Sequence, residues 1–401
     1  MPVYLDHAAT TPMIPAARDA YVEALGLVGN PSSIHSQGQQ AKRMLEESRE
    51  VVAASLGAEP IEVIFTSGGT ESINLGVKGL YWARQGDGAR PVVLLPGGEH
   101  HATVDAVEWL ARHEGARVVQ LPVDSLGRLA PSVLASALAE HGASVALVSL
   151  LWANNEVGTV QDVAALAEVA RSAGVPVHVD AVAAYGYLPI SFSSVGADAL
   201  SVSAHKIGGP VGIGALVVAR RSAVEPLIHG GNQQRVRSGT QDVAGAVAFA
   251  AAAALVPQPG AERTGFVAEL AQLRDRLIAG VREALPDAVL RGDPSPTGRL
   301  PGNAHFTFPG CEGDSLLFLL DMQGFSVSTG SACQAGVPEV SHVLTAMGVP
   351  DEEARGALRF TLGHGTTAAE VDALVAALPA AYAGARRAGF ADRVVAPAAR
   401  P

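Results

Sequence analysis

Val175-Pro-Val-His-Val-Asp180 and, further along, Leu200-Ser-Val-Ser-Ala-His-Lys206 are the runs on which the fold turns. Each is short, Val-rich and alternating, the pattern of a β-strand, and each ends on a charged side chain. Working outward, the same pattern predicts strands over 63–66, 92–95, 118–121, 145–151, 199–203 and 214–218, with the first run read as 175–179. Amphipathic stretches such as 72–83 and 163–173 lie between most of them. Such alternation predicts an α/β fold, a large domain with a mostly parallel mixed sheet flanked by helices, over residues 15–257. Pro257-Gln-Pro-Gly260 follows the Ala-rich run Val243–Val256 and reads as a linker. Beyond it, a helix over 261–285, strands near 305–308, 325–328 and 358–362, and a capping box of Thr367 and Glu370 predict a smaller α+β C-terminal domain. That domain takes residues 1–14 and 258–390. The Pro- and Ala-rich tail, 391–401, reads as poorly ordered.

The bulk numbers exclude several classes. A chain of 401 residues, 48% hydrophobic and 17% charged, is that of an ordinary globular protein with room for two domains. The formal net charge of −11, with no Lys/Arg cluster, argues against direct nucleic-acid binding. Val243–Val256 is too short to span a bilayer, and Met1–His7 has no basic or apolar leader pattern. Two cysteines, Cys311 and Cys333, make neither a disulfide framework nor a zinc knot, so a reducing, cytoplasmic setting without membrane attachment is expected.

Asp180 and Lys206 follow strands, where open α/β sheets collect ligands. An amine and a carboxylate there suit pyridoxal phosphate (PLP), the lysine as Schiff-base former and the carboxylate as partner of the pyridine nitrogen. Taken alone, an ion pair between strand ends explains them equally well. Thr66-Ser-Gly-Gly-Thr70-Glu71-Ser72 runs from a strand through a Gly turn into a helix, the layout of an anion site. An ordinary helix capped by Thr70 remains open. His100, after a third strand, suits stacking on a flat ring. Asn155, after a fourth, either bonds a cofactor or closes a turn. Cys333 lies in Ser328-Thr-Gly-Ser-Ala-Cys333-Gln-Ala-Gly336, whose small residues suggest an accessible thiol and a candidate nucleophile. Cys311, in a turn after a strand, has no assigned role.

Together these stretches resemble the cysteine desulfurases, of the class V aminotransferase group of fold-type I PLP enzymes. The resemblance runs in order through Tyr4–Pro12, Gly29–Ser33, Thr66–Ser72, Glu99-His100, Asn154–Gly158, His178–Ala181, Ser203–Lys206, Arg237–Thr240, Gly330–Cys333 and Arg359-Phe360. It implies that Lys206 carries the cofactor and moves the Cα proton, that Asp180 pairs with the pyridine nitrogen, and that His100 stacks on the ring. Gly69, Thr70, Ser203 and His205 would hold the phosphate, with Thr240 reaching the phosphate of the other subunit of a homodimer. Arg359 would grip the carboxylate of L-cysteine beside Asn155. Cys333 would take the sulfur as a persulfide, leave alanine, and pass the sulfur to an acceptor or scaffold protein, as in iron–sulfur cluster assembly. No resident metal is expected, beyond a transient iron–sulfur contact at Cys333. The family's polar pair after the Asp-Ala of its strand end, including a Gln near the cofactor's phenolic oxygen, is here Val182-Ala183. Gln-Ala-Gly after Cys333 and Gly231-Asn-Gln-Gln234 also depart from the family. A selenocysteine lyase or related class V lyase, or a PLP-binding scaffold with little turnover, are the alternatives.

Overall fold

The computed structural model describes residues 2–86, 88–257, 265–330 and 340–391, with side chains as far as 387. Cys333, positions 258–260 of the expected linker and all but the first residue of the expected tail lie outside the described residues. The two opening runs are neighbouring parallel strands, Val177–Asp180 and Ala199–Ser203, with His178 opposite Ala199 and Asp180 opposite Ser201. They sit in a seven-stranded sheet ordered Val63–Thr66, Gly214–Val218, Ala199–Ser203, Val177–Asp180, Val145–Leu151, Val92–Pro96, Arg117–Leu121. Gly214–Val218 runs antiparallel to both neighbours, and the other pairs are parallel. The first strand starts later than expected, at Val177, because Pro176 has no amide hydrogen to give the ladder.

The period of two assigns alternate residues to the two faces of the sheet. Val63, Phe65, Val92 and Leu94 pack toward helices that include Ser36–Leu56 and Val163–Ser172. Ile64, Val93, Leu95 and Leu216 pack toward helices Gly69–Ala83 and His101–Glu114. With both faces covered, all residues of Val145–Leu151 are buried, as expected of strands inside a parallel sheet.

A second core lies toward the C-terminus. The antiparallel sheet Ala357–Thr361, Asn303–Thr307, Val289–Arg291 supports helices Phe266–Ala284, Gly313–Asp321 and Ala368–Ala391. Val3–Tyr4 pairs with Phe325–Ser326, so the chain's first strand joins this region and buries Leu5 there. The expected strand 325–328 is shorter, but Ser328 still bridges to Arg359. Thr367 and Glu370 make the expected capping box, with Thr367 N on Glu370 Oε2 at 2.8 Å and Glu370 N on Thr367 Oγ1 at 3.3 Å. Residues 368–387 are apolar and long enough for a bilayer by length and composition, a run the sequence reading passed over. Val371, Leu374, Leu378, Ala381 and Ala385 bury that apolar side in the second core.

Two buried histidines make the fold testable. His178 bridges three central strands, with Nδ1 at 2.9 Å from Ser149 Oγ and Nε2 at 2.9 Å from Ser201 Oγ. Helix Gly69–Ala83 approaches so closely that a Cβ on Gly76 would stand 2.5 Å from His178 Cδ2. Because that ring is held at both nitrogens, Gly76→Ala is expected to destabilise the protein by about 1–3 kcal/mol, read as a lower urea midpoint. His305 lies opposite Arg359 in the second sheet, fully buried, with neither ring nitrogen hydrogen-bonded among the described residues. Burial, helped by the charges of Arg359, Arg299 and Arg291, pushes its pKa down to about 3. Such a histidine is neutral when folded but takes a proton when unfolded below its ordinary pKa of about 6.5, so stability falls as pH drops through that window. His305→Leu is expected to exceed wild type by about 2 kcal/mol at pH 5 and to differ little at pH 8, measured by urea denaturation at each pH.

Candidate active site

A cavity of about 410 Å³ opens at the carboxyl ends of the central strands. Gly69, Thr70, His100, Asn155, Asp180, His205, Lys206 and Arg359 all line it. Ser203 is buried beneath it, its Cβ 3.5 Å from where a Cβ on Gly69 would stand. Thr240 is exposed and is not among the lining residues. Gly330 lines the cavity three residues before Cys333.

The anion end is built from backbone. Gly68 adopts φ +144°, open to glycine, and helix Gly69–Ala83 starts at the next residue with no side-chain cap. Of the two readings left open for Thr70, the helix cap does not hold: the helix begins earlier, and Thr70 is its second residue. A Cβ on Gly69 would stand 2.9 Å from Val182 Cγ2, so glycine keeps this turn open. First-turn amides with a favourable dipole remain for a phosphate. Glu71 braces the turn, accepting from Ser67 N at 2.7 Å and from Arg237 Nε at 2.9 Å. His205, held at Nδ1 by Thr10 Oγ1 at 3.2 Å, is kept neutral by burial and by Lys206, with a pKa near 4.

Asp180 is only 2% exposed and accepts one bond from Val182 N, at 2.9 Å. Burial pushes its pKa up to about 6, against the Val182 bond and the charge of Lys206. A buried carboxylate facing a cavity is stabilised by a cationic N–H placed there. His100 caps helix His101–Glu114, its Nδ1 accepting from Ala102 N at 3.1 Å, which fixes the ring plane. Burial, then the Lys206 charge, lowers its pKa to about 4 and leaves a neutral flat ring at the cavity wall. Lys206 Nζ donates to the carbonyl oxygens of Ala8 and, at 2.9 Å, Ala9. An amide cradle, a buried carboxylate, a lysine and a neutral aromatic ring around one cavity fit pyridoxal phosphate.

At the opposite end, Arg359 donates from Nη2 to Asp6 Oδ1 at 2.7 Å and from Nη1 to the Asn155 carbonyl at 3.0 Å. Its Nε is buried without an acceptor among the described residues, a donor for a ligand carboxylate. The turn is closed by Asn154, whose Oδ1 accepts from the amides of Glu156 at 2.9 Å and Val157 at 3.0 Å. That leaves the Asn155 side chain for the cavity it lines. Asp6 and the Ala8 and Ala9 carbonyls are the functional groups that residue-by-residue reading missed. The motif Tyr4–Pro12 was visible, but only the fold shows that it crosses over Lys206. Cys311 is buried, with burial pushing its thiol up to about 11, the environment of an inert thiol.

The aminotransferase class-V family model matches residues 3–374. The chain is 52% identical to the IscS-like cysteine desulfurase of Mycobacterium tuberculosis, over 97% of this chain and 98% of that one. It is similar to a solved NifS-like protein at 33% identity and a TM-score of 0.84, covering 95% of this chain and 99% of the other. It also resembles SspA solved in complex with cysteine, at 30% identity and a TM-score of 0.76, covering 90% and 98%. With the family model spanning nearly the whole chain and the likeness extending end to end of its relatives, this protein belongs to the class V aminotransferase family, among the cysteine desulfurases.

Proposed function

We propose that this protein is a PLP-dependent cysteine desulfurase that converts L-cysteine to L-alanine. The observation that carries the reading is one cavity bounded by Asp180, Lys206 and Arg359, with Gly330 at its edge leading to Cys333. Pyridoxal phosphate, when bound, supplies an aldehyde for the lysine and a ring that takes up the electrons left when the Cα proton departs. Gly69, Thr70, Ser203 and His205 would hold its phosphate, Asp180 would pair with its ring nitrogen, and His100 would stack against the ring. Asn155 contacts cofactor and substrate. Arg359 Nε binds the substrate carboxylate and sets the amino acid's orientation. Lys206 Nζ takes the Cα proton and later returns it.

Cys333, as thiolate, attacks the substrate sulfur. A sulfur–sulfur bond forms as the substrate's carbon–sulfur bond breaks. The bonding pair stays with carbon, which takes up a proton and leaves as alanine. Cys333 is left as a persulfide, whose outer sulfur an acceptor or scaffold protein collects. The likeness to SspA, solved in complex with cysteine, supports cysteine as substrate. Thr240, exposed outside the cavity, is assigned to the phosphate of a second copy, making the working unit a homodimer. Supply of sulfur to iron–sulfur cluster assembly in the cytoplasm is the setting this reading favours.

Cys333→Ser is expected to abolish sulfide release from cysteine while the holoenzyme keeps its cofactor absorbance. An unchanged rate would move the assignment to a lyase that works without the thiol. Val182 and Ala183 both line the cavity. Val182 fills the space beside Gly69, which leaves Ala183 as the position where a polar side chain can be restored. Ala183→Gln is expected to add a hydrogen bond to the cofactor worth about 1.5–3 kcal/mol, about tenfold or more in cofactor affinity, measured by fluorescence titration.

A further inference from the structure

The Arg359 guanidinium is gripped by two segments that lie far apart in the sequence. Arg359 belongs to strand Ala357–Thr361 and is bonded through its backbone to Ser328, N to O at 2.6 Å and O from N at 3.2 Å. Its side chain is buried, with Nη1 donating to the Asn155 carbonyl at 3.0 Å and Nη2 to Asp6 Oδ1 at 2.7 Å. Of these two partners, only Asp6 brings a charge. Arg359 Nε has no acceptor among the described residues.

Asp6 is delivered to that point by backbone. It bridges in parallel to Thr361, with Thr361 N on the Leu5 carbonyl at 2.8 Å and His7 N on the Thr361 carbonyl at 3.3 Å. Ala8 N donates to Thr361 Oγ1 at 2.8 Å, and the Tyr4 hydroxyl donates to the Asp6 carbonyl at 3.0 Å. Thr361 stands two residues on from Arg359 in the same strand, so the two side chains share a face. Anchoring residues 5–8 on Thr361 therefore fixes the Asp6 carboxylate beside the guanidinium. Asp6, Arg359 and Thr361 all line the cavity.

We propose that Asp6 is a positioning residue for carboxylate recognition, holding the Arg359 guanidinium with its Nε edge offered to the ligand. The proposal rests on the desulfurase reading for its ligand, an amino acid whose carboxylate Arg359 binds. An arginine side chain has many rotamers, and ordering one on binding costs on the order of 2- to 10-fold in affinity. The charge-assisted bond to Asp6 orders the guanidinium before a ligand arrives. A carboxylate that only screened Arg359 would act in the opposite direction, because its removal would leave a stronger pull on an anionic ligand. One that only stabilised the fold would have no reason to favour ligands that carry a carboxylate.

The test compares two ligands on the holoenzyme, L-alanine and ethylamine, which is the same amine without the carboxylate. The affinity of each is read from the change in cofactor absorbance, and their ratio reports carboxylate recognition. Asp6→Ala is expected to lower the ratio about tenfold, with ethylamine affinity within about twofold of wild type. Asp6→Asn, which keeps an uncharged and weaker acceptor, is expected to lower it about threefold. A wild-type or raised ratio in Asp6→Ala overturns the inference, as does an equal loss for both ligands, which marks a structural role. Should Asp6→Ala not fold, a wild-type ratio in Asp6→Asn overturns it. A wild-type enzyme that binds L-alanine no better than ethylamine overturns it too. No alanine from cysteine with the wild-type enzyme would instead overturn the desulfurase reading, a result separate from the ligand ratio that judges Asp6.

Discussion

The parallel pairing of Val177–Asp180 with Ala199–Ser203 is the constraint on which the rest depends. It sets Asp180 and the Ala204–Ile207 turn at the same edge of the sheet, and Lys206 enters the cavity from that turn. Since both faces of the sheet are covered, the strands themselves can carry polar groups only where those groups are satisfied internally. His178 meets that condition through Ser149 and Ser201. Asp180, two residues on and on the same face, meets it through the bond from Val182 N and otherwise faces the cavity. The carboxylate is tolerated there because it borders a cavity instead of helix. Helix Gly69–Ala83 explains the difference: Gly76 packs over His178, while the start of the helix turns away and leaves its amides beside the cavity.

The electrostatics of the site follow from the same geometry. Around Lys206, both His100 and His205 are driven to pKa values near 4 by burial and by the lysine's charge. They therefore contribute shape and hydrogen bonds at neutral pH, not charge. Among the described residues lining the cavity, positive charge falls on Lys206 and Arg359, and Asp6 partly offsets the latter at 2.7 Å. A ligand with a phosphate at one end and a carboxylate at the other thus has amides for the first and a guanidinium for the second. That polarity orients it before any chemistry begins.

Much of this was legible in the sequence, for identifiable reasons. Strands buried on both faces have a hydrophobic run that composition alone reveals, and Val145–Leu151 was read with its observed bounds. The Gly turn before helix Gly69–Ala83 and the cavity-lining residues at strand ends were legible because glycine and charge at such positions have few other uses. The helix start at Gly69 was misread because propensity favours Thr as a cap, whereas the left-handed glycine before it decides the turn. Asp6, the Ala8 and Ala9 carbonyls and the Glu156–Ser341 bond were not legible, because each is a contact between segments far apart in sequence. No local pattern records that residues 6 and 359 touch.

That long-range joining also explains why the chain's beginning belongs with its end. Val3–Tyr4 completes a strand pair with Phe325–Ser326, and Leu5 enters the second core. The following residues then cross to the first sheet, where Thr11 N bonds the His205 carbonyl at 3.1 Å and Ala8 and Ala9 receive Lys206. Within a few residues the segment touches Arg359 through Asp6 and Lys206 through Ala8. It therefore couples Arg359, proposed to bind the carboxylate, to Lys206, proposed to move the proton. Their spacing is set by a short stretch of covalent backbone, which cannot stretch as two independently packed elements can drift. A catalyst that must hold an amino acid's carboxylate and its Cα hydrogen at a fixed separation gains from that arrangement, and the two cores on either side serve to hold the stretch taut.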